Sequence, residues 1–134
     1  KESGKSLCFR SKNIFFDVII DRKVFNHLSN PGLYLDNIRE IIQDNGIFFL
    51  LTPNASSFNY LFLNITGRIK KSDFSNPNHL GLYDFFTLNS IINKHNLEVE
   101  KFYYVYSSKI GMITKFFKSS FADDLLFIIK RKNK

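Results

Sequence analysis

The sequence predicts an α/β fold built on a mostly parallel sheet, and three neighbouring patterns carry this prediction. Ile14–Ile20 is an almost continuous apolar run, and Ile47–Leu51 is a second one. Between them, apolar residues recur near helical spacing at Leu33, Leu35, Ile38, Ile41 and Ile42. Parallel strands joined by a helix form a βαβ unit, which needs cover on both faces. We therefore expect helices on both faces of the sheet and a first strand buried on both sides.

The ends of these elements have their own signals. Pro31 suits the first turn of a helix, with Asn30 or Ser29 as the cap. The Asn-Gly pair at 45–46 predicts a left-handed stop to that helix. Pro53 has no N–H to donate, so strand pairing is expected to end there.

The rest of the chain continues the alternation of helix and strand in one domain, residues 1–134. The predicted elements are a helix over Ser57–Lys71, a loop over 72–86, a helix capped by Thr87 and ending near Asn96, a strand over Leu97–Ser107, a short amphipathic helix over Lys109–Phe121, and a last strand over Leu125–Lys130. In the Leu97–Ser107 strand, the alternation places Leu97, Val99, Tyr103 and Val105 on one face. No internal repeat or linker divides the chain.

Composition limits the function classes. The single cysteine, Cys8, excludes an internal disulfide and a cysteine-cluster zinc site, and it fits a cytoplasmic location. The net charge of +7 is concentrated at the chain ends. These ends are either solvated or attracted to nucleic acid or anionic lipid. Nucleic-acid binding is not expected, because a tyrosine-rich edge strand explains Tyr103, Tyr104 and Tyr106 more simply.

Several segments resemble those of class I S-adenosylmethionine-dependent methyltransferases. Phe16–Ile20, followed by Val24–Leu28 and Asn30-Pro31, resembles their fourth strand and the loop after it. Residues 45–54 resemble the fifth strand, and His79 with residues 85–88 and 96–99 resembles a later segment. The resemblance covers about residues 6–106 and implies a partial Rossmann-like methyltransferase fold. It also implies the strand order 4-5-7-6, with the last strand antiparallel between the fifth and the sixth.

The chain departs from this family in two respects. The family holds its cofactor with a glycine-rich loop, but the glycines at 4, 32, 46, 67, 81 and 111 never fall twice in one loop. Asn26 stands where the family usually has glutamate. We therefore expect a carboxyl-terminal methyltransferase half that is inactive by itself. Its first strand would lack a neighbour, which predicts a homodimer through Ile14–Ile20.

The resemblance also implies site residues. Asp21, Arg22 and Lys23 would lie against S-adenosylmethionine, although Asp21 could instead cap the loop or pair with its basic neighbours. His27 and His79 are the candidate bases, because histidine titrates near neutrality. The alternatives are a structural imidazole for His27 and a loop contact for His79.

Two further residues are assigned to substrate binding. They are Asn54 and Tyr83, although Pro-Asn is also ordinary turn chemistry. The expected acceptor is a small molecule or a glycan precursor. The histidines show no metal-binding spacing, so no metal is expected. The rival hypothesis is a non-catalytic methyltransferase-like module that binds a protein partner, or a membrane surface through Lys109–Phe121.

Overall fold

The computed structural model describes residues 14–66, 80–106 and 122–132. Its elements are β1 (Phe16–Arg22), a 3-10 turn (Phe25–His27), α1 (Pro31–Ile41), β2 (Ile42–Pro53), α2 (Phe58–Ile65), α3 (Phe85–Lys94), β3 (Leu97–Val105) and β4 (Asp124–Arg131). Every strand predicted from the sequence is present. The predicted helix Lys109–Phe121 lies outside the described residues.

The four strands form one sheet in the order β1-β2-β4-β3. β1 runs parallel to β2, with Ile19 opposite Phe48. β4 runs antiparallel to both neighbours, and Phe127 lies opposite Leu50 on β2 and Phe102 on β3. Across the sheet, the last strand in the chain, β4, therefore lies between β2 and β3. This confirms the strand order that the family resemblance predicted.

The core lies on one face of this sheet. Phe48, Leu50 and Phe127 point into it and are fully buried. Helix α1 adds Leu35 and Ile38, and helix α3 adds Leu88 and Ile92. Both helices therefore pack on the same face of the sheet, and a hydrogen bond of 2.8 Å from His95 at the end of α3 to Asp36 joins them.

The start of α1 confirms the prediction, and its end does not. Asn30 is the N-cap, and its Oδ1 accepts a hydrogen bond from the Leu33 N–H at 3.0 Å. The predicted stop at the Asn-Gly pair is wrong, because α1 ends at Ile41 and Ile42 already pairs with β1. Strand pairing therefore overrides the local turn signal.

Gly46 has a different role from the predicted one. It lies inside β2, beside an irregularity in the pairing with β1 between Phe16 and Val18. A Cβ at this position would lie 2.9 Å from the Phe16 carbonyl oxygen and 2.6 Å from the Ile42 side chain. Glycine is therefore needed for the close approach of two backbones.

Two other local predictions are wrong. Thr87 is not the cap of α3: Asp84 is, and its Oδ1 accepts from the Thr87 N–H at 2.7 Å. In β3, a register shift between Val99 and Lys101 changes the alternation. Phe102 therefore packs against the core, and Tyr103 is 49% exposed.

The sequence analysis predicted that strand β1 is buried on both faces, and this prediction is wrong. Val18 is 52% exposed and Ile20 is 73% exposed. The reason is that β1 is an edge strand and that α1 and α3 both pack on the opposite face of the sheet. Helical cover of this second face stays a prediction.

Candidate functional site

The carboxyl ends of β1 and β2 carry buried polar side chains. Asp21 on β1 lies opposite Leu50 on β2, so Asp21 and Thr52 share one face of the sheet. They are only 2% and 0% exposed. The carboxyl edge of parallel strands is where ligands bind in open α/β sheets. These two side chains therefore define the candidate site.

Asp21 also shapes the loop after β1. Its Oδ1 accepts a hydrogen bond of 2.9 Å from the Val24 N–H, so Asp21 does act as a cap. Its Oδ2 is buried and has no hydrogen-bond partner among the described residues. Lys23 adopts a positive φ of 60° and pairs through Nζ with Asp124 at 3.0 Å, not with Asp21. Arg22 is exposed.

Asn26 lies in the 3-10 turn that follows and is 2% exposed. Its carbonyl accepts hydrogen bonds from Leu80 N (2.8 Å) and Gly81 N (3.1 Å), which ties the segment before α3 to this turn. Its side-chain Oδ1 and Nδ2 have no partner within the described part of the chain. Burying a complete amide without partners is costly, so this side chain needs an explanation beyond packing.

Of the two candidate bases, the structure describes only His27. His27 follows Asn26 in the same turn, is exposed, and donates its backbone N–H to the Val24 carbonyl at 2.9 Å. His79 lies outside the described residues. His27 is therefore adjacent to Asn26 in the chain and exposed, and the role of either histidine as a base stays a prediction.

Asn54 and Tyr83, which the sequence analysis assigned to substrate binding, form a β-bridge, but the Asn54 amide is occupied. It donates to the Ala122 carbonyl at 2.9 Å and accepts from the Ser56 N–H at 3.0 Å. Its backbone N–H donates to the Asp123 carbonyl at 2.9 Å, so hydrogen bonding continues one residue beyond Pro53. Asn54 therefore organises the loops at this edge of the sheet.

Tyr83 forms a bridge with Asn54 and lies under the same edge. Its ring is 5.2 Å from the Phe25 ring, and burial raises the pKa of Tyr83. A Cβ on Gly81 would overlap this ring, so glycine is required at that position for Tyr83 to fold back on the chain.

Tyr34 on α1 is a site residue that the sequence analysis missed. Burial raises the pKa of Tyr34, and the negative charge of Asp21 and its interaction with the hydroxyl raise this pKa further. Its ring lies 6.0 Å from Phe25 and 6.4 Å from Phe48. The only signal in the sequence is one hydroxyl within the apolar stripe of the helix.

We expect Tyr34→Phe to change how stability depends on alkaline pH. Because the folded-state pKa of Tyr34 lies above its usual value of 10.0, stability is fully present below that pH and is lost as the pH rises above it. The variant lacks this contribution, so its free energy of unfolding should fall less steeply above about pH 10. Chemical denaturation at a series of pH values measures this, and equal slopes would contradict it.

An apolar cavity of about 300 Å³ adjoins the site on the second face of the sheet. It is lined by Ile20, Asp21, Arg22, Phe49, Leu51 and Leu126. Within residues 14–66, 80–106 and 122–132, no group of three or more metal-binding side chains is placed to hold an ion. No helix in the described part of the chain has the length and apolarity that crossing a membrane requires.

Comparison with known families gives one match. Residues 4–101 match the family model described as a methyltransferase domain, which is more than half of the chain. No curated protein matches the sequence.

Solved structures share the fold at low identity. A SAM-dependent methyltransferase from Archaeoglobus fulgidus matches with a TM-score of 0.62 at 13% identity, covering 88% of this chain and 60% of that one. A complex with the Haloferax volcanii Trm112 methyltransferase activator matches with a TM-score of 0.61 at 11% identity, covering 89% and 55%. The mitomycin 7-O-methyltransferase matches with a TM-score of 0.60 at 11% identity, covering 88% and 30%. The chain thus spans 30% to 60% of the length of these proteins. S-adenosylmethionine is the cofactor of the methyltransferases that it resembles.

Proposed function

We propose that this chain, which belongs to the methyltransferase domain family, is the carboxyl-terminal, substrate-side part of an S-adenosylmethionine-dependent methyltransferase. The acceptor that we propose is a small molecule or a glycan precursor. The mitomycin 7-O-methyltransferase among the matched structures supports the small-molecule class.

The observation that carries this proposal is a set of buried polar atoms without partners at the carboxyl edge of β1 and β2. Within the described chain, Asp21 Oδ2, both side-chain atoms of Asn26 and Thr52 Oγ1 are in this state. Such groups are rare in folded proteins and call for a ligand or a water. A carboxylate and an amide suit the hydroxyl and amino groups of S-adenosylmethionine.

Methyl transfer needs few catalytic groups from the protein. S-adenosylmethionine supplies a methyl group on a sulfonium, so catalysis rests on in-line positioning of the acceptor and on removal of its proton. We propose Asp21, Arg22 and Lys23 for the cofactor side and His27 and His79 as bases that take the acceptor proton. Asn54 and Tyr83, which meet at the same edge, would position the acceptor.

We expect Asp21→Asn to weaken binding of S-adenosylhomocysteine by about tenfold or more, because a hydrogen bond to a charged group is lost. Asparagine keeps an oxygen that can cap the Val24 N–H, so the loop should stay folded. Isothermal titration calorimetry on the full-length protein that contains this chain measures the effect.

Asp17→Asn is the matched control, because Asp17 is on the same strand but exposed. It should change the dissociation constant less than about twofold. Equal binding by Asp21→Asn and the wild type would contradict the assignment of Asp21.

The second candidate is a non-catalytic methyltransferase-like module that binds a protein partner. The exposed apolar residues of β1, Val18 and Ile20, favour it because an uncovered edge strand invites pairing. A homodimer through Ile14–Ile20 is one form of this proposal. A full-length protein that never binds S-adenosylhomocysteine would favour this candidate over the enzyme.

A further inference from the structure

The buried polar atoms at the carboxyl edge of β1 and β2 are closed off from solvent. Asp21 and Asn26 are each 2% exposed, and Thr52 is 0% exposed. Asp21 Oδ2, Thr52 Oγ1 and both polar side-chain atoms of Asn26 have no hydrogen-bond partner among the described residues. A ligand can form hydrogen bonds only with atoms that it can reach. Some part of the cover over these atoms therefore has to move before a ligand can bind them.

The segment that lies against Asn26 is residues 80–83, which we call the strap. The Leu80 and Gly81 N–H groups both donate to the Asn26 carbonyl, at 2.8 and 3.1 Å. The Leu80 and Leu82 side chains are 60% and 38% exposed, so they add little apolar packing. Among the described contacts, this end of the strap is therefore held mainly by two backbone hydrogen bonds to one carbonyl.

The other end of the strap is anchored by Tyr83. This side chain is 8% exposed, and its ring packs edge-on against the Phe25 ring at 5.2 Å. The Tyr83 carbonyl accepts a hydrogen bond of 3.0 Å from the Ala55 N–H, and Tyr83 forms a β-bridge with Asn54. The strap thus has a fixed end at Tyr83 and a lightly held end at residues 80–81. Segments that open locally have few buried apolar contacts, as this second end does.

We propose that the strap is a gate, which closes over Asn26 in the free protein and moves away when S-adenosylmethionine binds. This gate presupposes the proposed function, in which the buried polar atoms form the cofactor site. A buried amide without partners destabilises the closed state, and opening exposes it to water or to the ligand. The ligand favours the open state, since only that state offers it these atoms.

Hydrogen–deuterium exchange followed by NMR, on the full-length protein that contains this chain, tests the gate without any substitution. The Leu80 and Gly81 amides lose their acceptor when the strap opens, so they report the opening directly. We expect bound S-adenosylhomocysteine to increase their exchange rates about fivefold or more. The Ala55 amide, whose acceptor is the Tyr83 carbonyl at the fixed end, should change less than about twofold.

Gly81→Ala is expected to hold the strap open. A Cβ at this position would overlap the Tyr83 ring, which packs against Phe25, so the lightly held end should be displaced. Because a larger fraction of the protein is then ready to bind, S-adenosylhomocysteine should bind about tenfold more tightly. Gly32→Ala is the matched control, because it adds the same methyl group in α1, where the nearest atoms belong to the His95 ring. It should leave the dissociation constant unchanged.

The outcomes separate the gate from the proposed function. Wild-type protein that binds S-adenosylhomocysteine with unchanged or slower exchange at Leu80 and Gly81 would overturn the gate alone. Equal or weaker binding by Gly81→Ala, with circular dichroism showing that the variant is folded, would also overturn it. If that variant does not fold, the exchange rates of the wild type are sufficient to test the gate. Wild-type protein that never binds S-adenosylhomocysteine would refute the proposed function and the gate together.

Discussion

Replacing Phe127 with alanine is expected to lower the free energy of unfolding by about 3–5 kcal/mol. Phe127 is fully buried on β4, a central strand of the sheet. Its ring stacks on Phe85 from α3 at 5.9 Å and lies 4.9 Å from Phe102 on β3. Small domains have total stabilities of about 5–15 kcal/mol, so the variant should be close to unfolding at room temperature. Urea denaturation followed by circular dichroism measures the difference.

Ile128→Ala is the control for this experiment, because Ile128 is the next residue on β4 and is only half-buried on the second face. It should cost less than half as much as Phe127→Ala, since it removes fewer methylene groups from a less enclosed position. An equal loss in the two variants would show that both faces of the sheet are covered and would contradict the one-sided core described above.

Replacing Asn26 with leucine is expected to move stability and binding in opposite directions. The free energy of unfolding should rise by about 1–2 kcal/mol, because a buried amide without partners is replaced by an apolar side chain of similar size. Binding of S-adenosylhomocysteine should fall, because the hydrogen bonds that the amide offers to a ligand are lost. Urea denaturation and calorimetry on the same preparation give the two values.

Thr52→Val is the companion variant, because it removes a second buried oxygen without a described partner, Thr52 Oγ1, at nearly constant volume. It should also be neutral or stabilising. If both variants instead lose more than about 1 kcal/mol, these polar atoms have partners in the free protein. They would then be part of the architecture, and the argument for a ligand at this edge would fail.

Much of the fold could be predicted from local patterns. The apolar runs at Ile14–Ile20 and Ile47–Leu51 locate β1 and β2, because a short continuous apolar run favours a strand. Asn30 is the cap of α1 as predicted, since capping depends on residues close in sequence. The strand order came from the family resemblance, which the sheet confirms.

The candidate site was predicted less completely. Asp21 is at the carboxyl edge as expected, but Lys23 pairs with Asp124, which is distant in sequence. Tyr34 was missed, because one tyrosine in a helix carries no special signal. Only the packing of α1 against β1 and β2 brings Tyr34 to the carboxylate of Asp21.

The sequence by itself determined which segments are strands and helices and where the first long helix begins, because periodicity and capping act over a few residues. The tertiary structure decided the rest. Pairing with Phe16 ends α1 before Gly46, and the register shift in β3 turns Phe102 toward the core. The edge position of β1 leaves Ile20 exposed. These outcomes depend on the neighbours of each strand, and neighbours are set by contacts between residues that lie far apart in the chain.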